Sequence, residues 1–454
     1  MRAYWLALLL PLSLAAQADD RVKERILDNG LKVIIKEDHR APIVTSQVWY
    51  RVGSSYENGG GTGISHVLEH MMFKGTAQHP PGEFSRIVSA NGGDENAFTN
   101  RDYTAYFQNL AKDRLPVSFE LEADRMRNAS LPPEEFAKEI QVVKEERRMR
   151  TEDDPEAMTV ERFHATAFDV SPYHHPVIGW MGDLDSMTAQ DVRDWYRQWY
   201  APNNAILVVV GDVDPNQVMA LAEQHFGPLK PEKIQPPKPR TEPEQLGTKR
   251  LVVKAPAQEP YLLMGYKTPV IGTGEDWEPY ALEMLTEILD GGSSSRLSRK
   301  LVRGTEVASA INVGYDAFDL RPGLLELEAN AAQGRDIAQV EQAIRQEIEA
   351  LKTEPVTAAE LERVRNRVIA AKVFERDSVY YQAMQIGMLE ATGRDWRLAD
   401  QYVDKISAIT AEQVQAVAKK YLTDDRLTVA VLDPQPMPDT PRRRASAGGY
   451  HGIR

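Results

Sequence analysis

The feature that most constrains the fold is an internal repeat. Thr188-Ala189-Gln190-Asp191-Val192 opens a helical stretch to Tyr200, followed by the apolar run Ala205 to Val210. Thr410-Ala411-Glu412-Gln413-Val414 opens another to Leu422, followed by Leu427 to Leu432, each element 222 residues after its counterpart. Each Thr suits a helix N-cap, where a hydroxyl accepts an otherwise unpaired backbone N–H. Duplication of this kind asks for two similar halves, and 454 residues are in any case too many for one ordinary core. Pro228, Pro231, Pro236, Pro237, Pro239 and Pro243 lie between the copies among many charges. Proline removes a backbone donor and fixes φ, so this stretch reads as a semi-rigid linker. The chain divides accordingly into a half at 19–228, a linker at 229–247 and a homologous half at 248–433. Asn29-Gly30 is a hairpin-type turn between Arg25-Ile26-Leu27 and Leu31 to Lys36, and Pro42 to Val52 reads as a further strand. Helical periodicity covers 61–75, 83–91, 110–127, 133–150 and 188–200. Strands and helices mix without βαβ alternation, so the expected class is α+β, as two homologous sheet-plus-helices halves.

The ends carry different signals. Arg2 precedes an apolar run from Trp5 to Leu14, and Ala16-Gln17-Ala18 supplies the small-x-small pattern of a cleavage site. Residues 1–18 are therefore expected to be a secretory signal peptide, and the mature chain to be periplasmic. The run falls short of the about 20 apolar residues a bilayer span needs, and nothing later comes closer, so no integral membrane span is expected. Residues 434–454, Pro-rich, then Arg442-Arg443-Arg444, then Gly-rich, read as a disordered tail. With no cysteine the exported chain has no disulfide, no thiolate ligand and no cysteine nucleophile. A net charge of -13 argues against a nucleic-acid partner.

The chemistry centres on Gly63-Ile64-Ser65-His66-Val67-Leu68-Glu69-His70-Met71-Met72-Phe73. As a helix, Ile64, Val67, Leu68, Met71 and Met72 make one apolar face, and His66, Glu69 and His70 lie opposite. Two imidazoles one turn apart can grip one metal ion, and the glutamate between them can reach a metal-bound water. This is the inverted zinc-protease pattern H-x-x-E-H. A hydrolytic zinc wants three protein ligands, the third here His, Glu or Asp. The helix at 133–150 presents Glu139, Glu145 and Glu146. Glu139 and Glu146 share a face about 10.5 Å apart along the axis, so only one can touch the metal while the other orients a ligand histidine.

With these spacings the sequence resembles the pitrilysin/insulinase family of zinc metallopeptidases, in particular the short branch that includes the mitochondrial processing peptidase β-subunit. Gly92-Gly93-Asp94-Glu95-Asn96-Ala97-Phe98-Thr99 is similar to the family's substrate-binding edge strand, with Asp102-Tyr103-Thr104-Ala105-Tyr106 after it. Gly291-Gly292-Ser293-Ser294-Ser295-Arg296-Leu297 is similar to its second-domain signature. The resemblance spans about residues 24–433. It implies His66, His70 and Glu146 as ligands of one Zn2+ per chain, Glu69 as catalytic base and Glu139 behind a ligand histidine. It implies peptide binding by strand addition at Asn96, Ala97 and Phe98. Family members carry an Arg and a Tyr seven apart in the second domain. Arg303 is the candidate Arg, but the Tyr position falls on Ser309 or Ala310, and Tyr315 is out of step. The second half has one histidine, His451, and no metal motif of its own. The implied function is a zinc-dependent endopeptidase acting on peptides or unfolded segments. It would work as a dimer, with a heterodimer partner lacking the metal motif supplying what Arg303 lacks. The rival reading is a non-catalytic assembly subunit of the same fold.

Overall fold

The computed structural model describes residues 21–437. Residues 1–20, with the expected signal peptide at 1–18, and residues 438–454, with Arg442-Arg443-Arg444, lie outside the described residues. The first half contributes strands β1 (Val22–Ile26), β2 (Lys32–Glu37), β3 (Ile43–Tyr50), β4 (Asp94–Thr99), β5 (Thr104–Ala111) and β6 (Ala205–Gly211). Its helices are α1 (Ile64–Met71), α2 (Glu83–Ala90), α3 (Leu115–Asn128), α4 (Pro133–Arg147), α5 (Pro155–Ala167), α6 (Met181–Ser186), α7 (Ala189–Trp199) and α8 (Pro215–Phe226). The second half contributes β7 (Lys249–Pro256), β8 (Tyr261–Thr268), β9 (Ala308–Tyr315), β10 (Gly323–Ala331) and β11 (Leu427–Gln435). Its helices are α9 (Glu278–Asp290), α10 (Ile337–Thr353), α11 (Ala358–Glu375), α12 (Val379–Ala391), α13 (Leu398–Ala408) and α14 (Ala411–Tyr421). No helix or strand lies between Phe226 and Lys249.

The repeat is visible in the topology. The sheets run β1-β2-β6-β3-β5-β4 and β7-β11-β8-β10-β9, the same order once β1 is set aside. In each, the strand that closes the repeat joins the first strand in a parallel pair, β2 with β6 and β7 with β11, among otherwise antiparallel neighbours. The repeated threonines cap the repeated helices: Thr188 with Asp191 on α7 and Thr410 with Gln413 on α14 both form capping boxes.

One face of the first sheet packs on α1, α3, α7 and α8 through Val67, Leu68, Phe119, Tyr196, Trp199 and Phe226. Its other face is covered by a helix from the other half. Ala383 and Ile386 of α12 pack on Ile34, Trp49, Ile206, Val208 and Val210. Reciprocally, Phe163 and Ala167 of α5 pack on Leu263, Leu324, Ala430 and Leu432 of the second sheet. Each large side chain buried this way contributes about 1.5–3 kcal/mol, so the exchange ties the halves together strongly. The approach is close: a Cβ on Gly387 of α12 would sit 2.1 Å from the Trp49 ring, so only glycine lets the helix seat there.

Three sequence expectations are corrected. The periodicity at 110–127 is not one helix. Leu110 and Ala111 end β5, and the helix starts at Leu115, where Pro116 suits a first turn but not a strand. The segment at 133–150 is α-helical only to Arg147 and continues as a π-helical turn over Arg148–Glu152. The last strand runs past Leu432 to Gln435, so Pro434 and Gln435 belong to the sheet and not to the tail. Beyond Leu432, β11 pairs only with β7, which leaves one side where a proline without N–H is tolerated.

Candidate metal centre

Helix α1 is placed by its N-terminus. Gly63 has φ +87°, and a Cβ there would lie 2.5 Å from the carbonyl of Ile178, so no other residue fits. Buried Glu57 accepts the N–H groups of Gly63 at 2.8 Å and Ser65 at 2.9 Å, satisfying two of the helix's unpaired donors with a carboxylate at its positive end. Ile64, Val67, Leu68 and Met71 are buried in the first core, which turns His66 and His70 toward α4 and leaves Glu69 beside them, in contact with β4.

There α4 delivers Glu146. Its Oε2 lies 3.4 Å from His70 Nε2 and 3.7 Å from His66 Nε2, and the three donor atoms lie within 4.8 Å of one another. The side chains are 22%, 12% and 15% exposed for His70, His66 and Glu146, enough to admit a ligand and dry enough to hold one. Donors on a tetrahedral zinc with bonds of about 2.0–2.2 Å stand roughly 3.3–3.5 Å apart, so Glu146 lies from each imidazole at close to the separation such an ion needs, and N,N,O is a donor set zinc accepts. His66 Nδ1 is buried and, among the described residues, has no hydrogen-bond partner. His70 Nδ1 instead faces Glu139 Oε2 at 3.3 Å, and Lys74 holds the other Glu139 oxygen at 2.7 Å.

The electrostatics follow from these contacts. Burial depresses the His66 imidazole to about 4. Burial also acts to lower His70, but Glu139 and Glu146 outweigh it and raise the ring to about 9. Burial acts to raise Glu146, yet His70, His66 and Arg150 together hold it below the usual carboxylate range. The hydrogen bond with His70, backed by Lys74, keeps Glu139 low. Burial raises Glu69, against a hydrogen bond that its Oε2 accepts from Thr99 Oγ1 at 2.5 Å.

Glu145 points away, 63% exposed and paired with Arg148 at 3.0 Å. Asn96, Ala97 and Phe98 lie on β4, which pairs only with β5 and leaves its outer edge open. There Asn96 Oδ1 accepts the Ala97 N–H at 2.9 Å. Arg303 follows the π-helical turn Ser298–Val302, is exposed, and forms no hydrogen bond or ion pair with the cluster. Sequence reasoning missed Glu57, Lys74, Thr99 and Arg150. Arg150 binds Glu146 Oε1 at 2.7 Å, and only its i,i+4 spacing hinted at that.

Duplicated sheet-plus-helices halves thus carry two histidines and a glutamate gathered on the first of them. Residues 32–179 match the family described as "Insulinase (Peptidase family M16)", and residues 186–368 match "Peptidase M16 inactive domain". The chain belongs to this insulinase family, M16. It is 36% identical over 350 residues to the zinc protease PqqE of Helicobacter pylori, covering 75% of this chain and 76% of that one. A crystal structure of a Helicobacter pylori protease superposes with TM-score 0.87 at 31% identity, covering 91% of this chain and 99% of that one. The first half of the periplasmic protease PqqL from Escherichia coli shares the fold, with TM-score 0.76 at 19% identity over 91% of this chain and 92% of that one. Among the described residues no helix is long and apolar enough to cross a membrane.

Proposed function

We propose that the chain is a zinc-dependent endopeptidase of the periplasm, exported by a signal peptide at 1–18. It would cleave peptides or unfolded segments, with one zinc held by His66, His70 and Glu146. The observation that carries this is the convergence of three donor atoms from α1 and α4 within 4.8 Å, with the Glu69 carboxyl on the same helix face. Bound there, zinc would acidify a water and polarise the scissile carbonyl. Glu69 takes the proton of the attacking water and returns it to the leaving amine. Glu139 holds the His70 ring in place. Substrate adds as a strand to the open edge of β4, meeting the main chain of Ala97 and Phe98 once the Asn96 side chain turns aside to bind it. A non-catalytic role would leave Glu69, poised between two metal-binding histidines, without a use.

The test is metal content and turnover of the purified mature chain. Glu69→Gln should retain zinc and fold but lose about 10²–10⁴ in turnover on unstructured peptides. Near-wild-type turnover with zinc bound would sink the mechanism.

The proposal extends to a second subunit. Arg303 stands exposed without a tyrosine seven residues on, so a partner of the same fold, lacking the metal motif, would complete the substrate chamber. This chain covers 52% of the whole Escherichia coli PqqL structure, whose remaining length is where a second pair of halves would lie. A monomer in solution whose cleavage rate no partner alters would refute this part.

A further inference from the structure

The Glu69 carboxylate is fixed from the side of the edge strand. Thr99 is the last residue of β4 and donates its hydroxyl to Glu69 Oε2 at 2.5 Å. That bond crosses from the edge strand to α1 and occupies one carboxylate oxygen, leaving Oε1 as the free acceptor. Thr99 is itself held: its backbone pairs with Thr104 of β5, and Thr104 Oγ1 donates to the carbonyl of Val52 at 2.9 Å. The alternation of β4 turns Ala97 toward the first core, on the side of α1, and Phe98 toward α12. Thr99 therefore shares the face of Ala97, which looks toward the base.

We infer that Thr99 is a positioning residue that orients Glu69 and ties the base to the strand on which the peptide docks. The inference rests on the endopeptidase reading above. A peptide added to β4 takes its register from the backbone of Asn96 to Phe98, and Thr99 is the next residue along. The distance from scissile carbonyl to base is then set through a short stretch of strand and the one hydrogen bond from Thr99 to Glu69. It is not left to the packing of two separate elements alone. Misplacing a reacting group by about 1 Å costs on the order of 10²-fold in rate, so a hydroxyl that fixes one carboxylate oxygen has that much leverage.

The experiment compares wild type, Thr99→Val and Thr99→Ser on an unstructured peptide, with zinc content and thermal midpoint measured on each. Valine keeps the β-branched shape that suits a strand and loses only the hydroxyl. Thr99→Val should keep stoichiometric zinc, lower kcat by about 10–100-fold and leave KM within about twofold. Thr99→Ser, which keeps the donor, should recover most of kcat. In a Glu69→Gln background the valine substitution should cost nothing further, because residues acting as one unit are not additive. Unchanged kcat in Thr99→Val overturns the inference while leaving the endopeptidase reading intact. So does a rise in KM alone, or a serine variant as slow as valine. A zinc-loaded wild type that cleaves no peptide, alone or with a partner, overturns both readings, since Thr99 would then have no base to position.

Discussion

Glu146→Gln removes the one charged donor from the candidate metal cluster, and the structure ranks its effect against two neighbours. Glu146 Oε2 faces both imidazole Nε2 atoms, at 3.4 and 3.7 Å. Glu139 sits one layer out, 3.3 Å from His70 Nδ1. Glu145 is 63% exposed and answers only to Arg148. Loss of an outer partner of a metal-bound histidine costs about 10–100-fold in affinity, or about 1.4–2.8 kcal/mol. Glu139→Gln should fall in that range. Glu146→Gln should exceed it, because the amide keeps one oxygen donor but gives up the charge that offsets a dication. It also frees Arg150, whose guanidinium now neutralises Glu146 Oε1 at 2.7 Å, to repel the metal. Glu145→Gln should stay within about twofold, as an exposed substitution within about 0.5 kcal/mol would. Competition against a chromophoric chelator at fixed pH and salt measures all three, with circular dichroism confirming the fold. Equal zinc retention in Glu145→Gln and Glu146→Gln, or a larger loss in Glu139→Gln than in Glu146→Gln, would refute the assignment.

Glu283 of α9 is half-buried and accepts the Tyr402 hydroxyl, and loss of solvent around it raises its carboxyl from 4.5 to about 7. A raised carboxyl binds its proton more tightly when folded, so the stability it lends is full below about 4.5 and is lost as pH rises to about 7. That amounts to roughly 3 kcal/mol over the window. Glu283→Gln should therefore gain on wild type by roughly that much between pH 4.5 and 8 in urea denaturation, and a pH-independent difference would refute it. Gly387→Ala forces a Cβ against Trp49 and should cost about 1–3 kcal/mol, read as a lower thermal midpoint, whereas an unshifted midpoint would show that α12 does not seat on the first sheet as described. Glu161→Gln takes from the buried Arg147 its buried carboxylate partner at 2.7 and 3.0 Å and leaves it the Gly179 carbonyl and Glu152; it should destabilise by about 3 kcal/mol and lower zinc occupancy through α4, and full occupancy with unchanged stability would contradict that coupling.

What could be read from the sequence was local or periodic. His66, Glu69 and His70 were legible because they share one helical face with five apolar residues on the other, and the 3.6-residue period does the sorting. The repeat was legible because Thr188 and Thr410 each nucleate the same cap, helix and strand. The helix at 110–127 was misread because Leu110 ends a strand and Leu115 begins a helix, and a period count cannot separate the two without the cue of Pro116. Thr99 and Lys74 were invisible as partners because nothing in a sequence says which distant hydroxyl or cation a carboxylate will meet, whereas Arg150 stands four residues from Glu146 and only that spacing hinted at the pair. The exchange of α5 and α12 was hidden for a deeper reason. An amphipathic pattern states that a face must be covered and is silent about what covers it. Because α12 covers Trp49, Ile34 and Val208, and α5 covers Leu263 and Ala430, neither sheet is complete without the other half. The proline-rich stretch therefore joins two halves whose cores are already shared, and α5, which follows the α4 carrying Glu146, is anchored in the half that has no metal motif. The second half thus supports the candidate site through packing, whether or not any of its side chains ever reaches a substrate.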